Sequence, residues 1–119
     1  MLYNHPSLNA GSNEMTYAII ALDAADITIP AGAKWTRDKM ITALLAFQSA
    51  DGGFGLYDSS SSGVDTTAMA LQGLTNYRKR PAVQSAIERA LALSLIHIFS
   101  DRSIQNRPID SSFRHLRIS

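Results

Sequence analysis

Leu44-Leu45-Ala46-Phe47-Gln48-Ser49-Ala50-Asp51-Gly52-Gly53-Phe54-Gly55, followed after a serine-rich loop by Val64-Asp65-Thr66-Thr67-Ala68-Met69-Ala70-Leu71-Gln72, decides how this chain is read. The first part has the apolar spacing of a helix end and stops at a glycine pair; the second opens a new helix at an aspartate. Helix, glycine turn and helix therefore lie in one short run. An earlier stretch of the chain carries the same order, so the helix pair is a repeating unit.

Working outward, residues 13–25 read as a first helix, with Ser12 or Asn13 as its cap and Glu14 suited to the first turn. Its apolar residues surround the cylinder, the pattern of a helix buried on more than one face. Pro30 and Gly32 oppose continuation. A second helix spans about Thr36 to Gln48, with Met40, Ile41, Leu44 and Leu45 on one stripe and Arg37, Asp38 and Thr42 opposite. A third runs from Asp65, as N-cap, to about Tyr77 and again looks buried on more than one face. Its small residues allow close approach of a neighbour. A fourth spans about Pro81 to Ala92, Pro81 suiting a first turn, with Val83, Ala86, Ile87, Ala90 and Leu91 as its apolar stripe. Ala21-Leu22 aligned with Ala70-Leu71 gives a spacing of forty-nine, and Ile41 with Ile87 gives forty-six. Buried and amphipathic helices alternate, which predicts two layers, helices 1 and 3 inside and 2 and 4 outside. The expected fold class is all-α: two helical hairpins, a fragment of an α/α toroid or solenoid.

Bulk properties narrow the function. The chain has 119 residues, 45% of them hydrophobic and 18% charged, which fits one globular unit rather than a disordered chain. Its longest apolar stretch is far short of a membrane span, and its start lacks the basic and apolar segments of a signal peptide. No cysteine is present, so disulfides, thiolate nucleophiles and cysteine metal ligands are excluded. Residues 1–92 carry seven basic and eight acidic side chains; residues 93–119 carry Arg102, Arg107, Arg114 and Arg117 against Asp101 and Asp110. The basic balance thus comes from the tail, and nucleic acid is not an expected partner of the body.

The Leu44-x3-Gln48-x3-Gly52-x-Phe54 pattern resembles the QW-type repeat of squalene–hopene cyclases and other terpene cyclases. Their α/α toroid is shared with protein prenyltransferase β subunits, cobalamin carriers and complement thioester domains. Val64 to Gln72 is similar to the inner-helix start of bacterial surface proteins with prenyltransferase/squalene-oxidase repeats. The resemblance covers about residues 1–92. It implies that Leu44, Gln48, Gly52, Gly53 and Phe54 form a structural motif, with Gln48 tying a helix end to the following turn and Phe54 packing where a tryptophan often sits. Ala43 stands where those repeats often place an aromatic. The chain has no Asp-x-Asp-Asp motif, so the acid of a class II cyclase is missing from it, and lacking cysteine it has neither a prenyltransferase zinc ligand nor a thioester.

The resemblance implies a non-catalytic ligand-binding or scaffolding segment of a larger protein at a bacterial cell surface, partnered by the remaining toroid repeats. A cyclase-like enzyme whose acidic motif lies elsewhere is the alternative, and a corrinoid-binding module the third. A small molecule, glycan or corrinoid is the ligand class implied; no cofactor is required, and cobalamin is the one admitted. Candidate ligand contacts are Asp65, Thr66, Tyr17 and Met69 on the inner helices, beside which ordinary packing stays open. Asp65 reads first as an N-cap, which contributes about 1 kcal/mol, and second as a carboxylate at a cavity mouth. No metal site is expected: His5, His97 and His115 are scattered. Gly52 to Gly55 lacks the strand and Lys-Ser/Thr of a phosphate loop, and Ser59 to Ser62 lacks a histidine base.

Residues 93–119 form a separate expectation. Taking Leu91 as partner of Leu44, a glutamine belongs near Leu95. The chain instead reads Leu93-Ser94-Leu95-Ile96-His97-Ile98, then an aperiodic arginine- and serine-rich stretch. That hexapeptide is also the translation of CTG TCT CTT ATA CAC ATC, a transposon end used in sequencing adaptors. The tail is therefore expected to be adaptor read-through, the alternative being an extension of helix 4.

Overall fold

A computed structural model describes residues 2–5 and 7–104 of the chain. The described residues are helical, with no strand among them: α1 (Ser12–Ala24), α2 (Arg37–Leu45), α3 (Val64–Leu74) and α4 (Pro81–Ile104), plus 3-10 turns at Leu2–Asn4 and Thr75–Tyr77. The all-α expectation holds.

Helix starts differ from the sequence reading in an informative way. α1 is preceded by extended Gly11, and neither Ser12 nor Asn13 caps it with a side chain. The Ser12 hydroxyl is buried instead, while its backbone N–H donates to Leu56 O at 2.8 Å. α3 is likewise preceded by extended Gly63, whose N–H donates to Phe54 O at 3.1 Å. Asp65 is therefore not the cap. It is the second residue of the helix, exposed, and placed where a negative charge meets the positive end of the helix dipole. α2 starts at a side-chain cap that the sequence reading did not name, Thr36 Oγ1 accepting from Lys39 N at 3.2 Å. It ends at Leu45, before Gln48, because Ala46 to Gln48 tighten into i→i+3 bonds and the chain then turns. α4 runs past Ala92 to Ile104. Residues 105–119, and with them part of the tail expectation, lie outside the described residues.

α1 and α3 lie side by side and run parallel. They come close together at Gly73, where an added Cβ would come within 3.1 Å of Thr16 Cγ2, so a small residue is needed there. α2 packs back against α1, and α4 against α3. α2 and α4 also run in one direction: Arg80 Nη1 reaches Asp38 Oδ1 at 2.6 Å near the starts, and Arg89 Nη1 reaches Gln48 Oε1 at 3.2 Å farther along. Met15, Ile19 and Leu22, Met40 and Leu44, Ala70 and Leu74, and Val83, Ala86 and Ala90 share one core with Phe54. Phe54 is completely buried and is the largest such side chain. Burying an aromatic of this size contributes about 1.5–3 kcal/mol.

Two expectations about faces are corrected. α1 and α3 are not buried all round: Glu14, Tyr17, Ala21 and Ala24 open one face of α1, and Asp65, Ala68 and Gln72 one face of α3. Apolar alanines on those faces misled the periodicity. Arg37 is not on the solvent side of α2 but half-buried against Asp23. The repeat register also moves. Burial aligns Met15, Ala18 and Leu22 with Thr67, Ala70 and Leu74, a spacing of fifty-two rather than forty-nine, while Met40 and Leu44 match Ala86 and Ala90 at forty-six. Leu91 then corresponds to Leu45 rather than Leu44, and it is exposed instead of joining the stripe.

Candidate functional site

Three places gather polar groups, and each is built by the helix pairing. The first is the turn after α2. Gln48 Nε2 donates to Gly52 O and to Ala86 O of α4, both at 2.9 Å, while its Oε1 accepts from Arg89. Arg89 Nη2 also donates to Ser49 O at 3.3 Å. Gly52 has φ +100°, and a Cβ there would stand 2.4 Å from Arg89 O, so conformation and space both demand glycine. Asp51 accepts from Gly53 N and from Ser62 Oγ, closing the turn on itself. Phe54 N donates to Thr67 Oγ1, which donates onward to Gly63 O, so the turn is stitched to the start of α3. Leu44 and Phe54 fill the apolar side beneath. The Ser49 hydroxyl is buried here without a hydrogen-bond partner, and the other groups named hold the two helix pairs together.

The second place is the open face of α1 and α3. Tyr17 stands 59% exposed on α1. Asp65 is exposed on α3, and Thr66 and Met69 are half-buried on the stripe that continues to Gly73 against α1. No hydrogen bond joins any two of these four, and Tyr17 and Asp65 are exposed whereas Thr66 and Met69 are half-buried.

The third is a hollow of about 510 Å³ where the C-terminal ends of α1 and α3 meet, lined by Ile20, Asp23, Gln72, Thr75 and Asn76. Asp23 anchors its edge. Both carboxylate oxygens accept from Tyr77 OH, at 2.7 and 2.8 Å, and Oδ1 accepts from Arg37 Nε at 2.9 Å. Burial pushes the Tyr77 phenol up, and the adjoining Asp23 carboxylate pushes it further. For Arg37, burial acts downward, but the bonds to Asp23 and Tyr77 outweigh it and its pKa rises. Arg80 lies over the Tyr77 ring at 5.4 Å, adding a cation–π contact. This triad clamps α1, α2 and the turn after α3. Inside the hollow, Gln72 and Asn76 offer amide donors and acceptors, and Thr75 a hydroxyl that already donates to Leu71 O. Such groups bind neutral polar ligands by hydrogen bonding.

Sequence reasoning missed this third place. Its signal was Asp23, an acid in the last turn of an otherwise apolar helix end, where the dipole opposes it unless a partner compensates. Among the described residues no group of three or more His, Asp or Glu side chains could hold a metal ion, and no helix is long and apolar enough to cross a membrane. No protein-family model, no curated protein and no solved structure matches this chain.

Proposed function

We propose that the chain is a ligand-binding or scaffolding segment of an α/α toroid, a non-catalytic part of a larger bacterial surface protein. The observation that carries this reading is the doubled hairpin. Two parallel helices lie against each other, each backed by an outer helix, and a glutamine–glycine turn links one pair to the next. Helices arranged in this way continue as a curved double wall when further pairs are added. The likeness of Gln48 to Phe54 to the repeat of the terpene cyclase superfamily supports the toroid in particular.

The hollow at the C-terminal ends of α1 and α3 supports binding over chemistry. Its carboxylate is committed to Arg37 and Tyr77, and the groups that remain are amides and a hydroxyl. Proton transfer in a reaction needs a positioned group that can take up or release a proton near neutral pH, and neutral amides do not. A hydroxyl-rich ligand such as a glycan fits this set.

Titration of the isotope-labelled chain with soluble cell-wall oligosaccharides tests the proposal. Shifts of the Gln72 and Asn76 side-chain amides, lost in a Gln72→Ala variant, are the expected result. Unmoved amides at saturating oligosaccharide would refute glycan binding at this hollow. A stoichiometric change in the visible spectrum of added cobalamin would replace it with the corrinoid reading, and turnover of a polyprenoid by the parent protein would replace it with the cyclase one.

A further inference from the structure

The hollow between the C-terminal ends of α1 and α3 has two unlike walls. Both helices belong to this chain, and Gly73 of α3 lies against Thr16 of α1, so no neighbouring segment is needed to form it. On the α3 side, Gln72 and Asn76 line the hollow about one helical turn apart, where α3 passes into the 3-10 turn. Both are exposed, and neither side chain makes a hydrogen bond to another described residue. On the α1 side, Ile20 and Ala24, again about one turn apart, are apolar. The remaining polar groups are engaged: Thr75 Oγ1 donates to Leu71 O, and Asp23 accepts from Arg37 and Tyr77.

A side-chain amide carries N–H donors and a carbonyl acceptor. Two of them across from an apolar wall match a ligand group that combines one donor, one acceptor and an apolar end. A hydroxyl has both polar functions on one atom and no apolar end. A secondary acetamide has all three. Its amide is planar and trans, so N–H and C=O point to opposite sides and one side-chain amide cannot serve both. Gln72 and Asn76 can take one each, a carbonyl of one accepting from the N–H and an amide N–H of the other donating to the C=O. The methyl group then lies toward Ile20 and Ala24. At about 510 Å³ the hollow falls within the range of small-ligand pockets, about 300–1,000 Å³.

We propose that this hollow is specific for N-acetylated amino sugars, with Gln72 and Asn76 reading the acetamido group and Ile20 and Ala24 its methyl. The proposal rests on the glycan reading above and narrows it to one substituent. A de-acetylated sugar lacks both the acceptor and the methyl, and its ammonium gains little from Asp23, whose charge Arg37 already compensates.

Calorimetric titration of the full chain with three β-linked trimers tests it: those of N-acetylglucosamine, glucosamine and glucose, which differ at one ring position. The acetylated trimer is expected to bind about tenfold or more tighter than the glucose trimer, and tighter than the glucosamine trimer at slightly acid pH, where the amines are charged. Gln72→Leu and Asn76→Leu, both at exposed positions, should each bring the acetylated trimer close to the glucose level with the helical circular dichroism unchanged. Equal binding of the acetylated and glucose trimers would overturn the specificity and leave the glycan reading standing. Tightest binding of the glucosamine trimer would overturn it in favour of Asp23 as an anionic contact. A preference for the acetylated trimer that survives in both variants would also overturn the assignment. Binding of none of the three would overturn the proposal, and the cell-wall oligosaccharide titration then decides the glycan reading by itself.

Discussion

Replacing Gln48 probes the joint between the two helix pairs. Its amide donates two hydrogen bonds, to Gly52 O and Ala86 O, and accepts one from Arg89. Gln48→Ala removes all three from a half-buried site. At about 0.5–1.5 kcal/mol net per bond, with Ala86 O still serving its own helix, the loss comes to about 2 kcal/mol. For a unit of this size, that lowers the melting temperature by about 8–16 °C. Gln48→Glu separates hydrogen bonding from charge. The carboxylate keeps Arg89 as partner and gains an attractive charge there, yet it faces two carbonyl oxygens with nothing to donate. Leaving buried acceptors opposed to a charged group costs more than the partly exposed Arg89 pair returns. Gln48→Glu is therefore expected to be no more stable than Gln48→Ala at neutral pH. Protonating the new carboxyl at acid pH restores one donor and narrows the gap. Urea titrations followed by far-ultraviolet circular dichroism measure all three proteins. A glutamate variant as stable as wild type at neutral pH would refute the claim that the donated bonds hold the joint.

The other expectations are local. Gly73→Ala puts a Cβ 3.1 Å from Thr16 Cγ2, so it should lose the roughly 1 kcal/mol that this change gives at an open helix position, and Thr16→Ser in the same chain should restore that gain in thermal melts. Tyr77 has a raised pKa, so the proton it keeps when folded is released more readily on unfolding. Its contribution is complete below about pH 10, the ordinary tyrosine value, and falls as pH rises through the higher folded value. Tyr77→Phe should remove that alkaline loss from the stability profile measured by denaturant titration. Asp65→Ala should cost only about 0.3 kcal/mol in the same assay, since Asp65 meets a helix dipole in water rather than capping backbone donors; a cost of about 1–2 kcal/mol, that of a lost N-cap, would restore the capping role.

The sequence by itself determined that the chain is helical, roughly where each helix lies, and that the helices come in repeated pairs. Those properties follow from local terms: apolar spacing, Pro81 at a first turn, and glycines closing the turn after α2. Tertiary structure decided what local terms cannot encode. Gly11 and Gly63 precede α1 and α3 because the backbone beside them bonds to the turn after α2, so the serine, asparagine and aspartate that follow are released from capping. Which side of an alanine-rich helix meets water was equally illegible, since alanine suits either and only neighbouring helices choose. The Asp23–Arg37–Tyr77 clamp joins residues up to fifty-four positions apart, a distance over which no periodicity reports. Local propensity acts through a few successive residues, whereas these contacts exist only once two helix pairs have closed on each other.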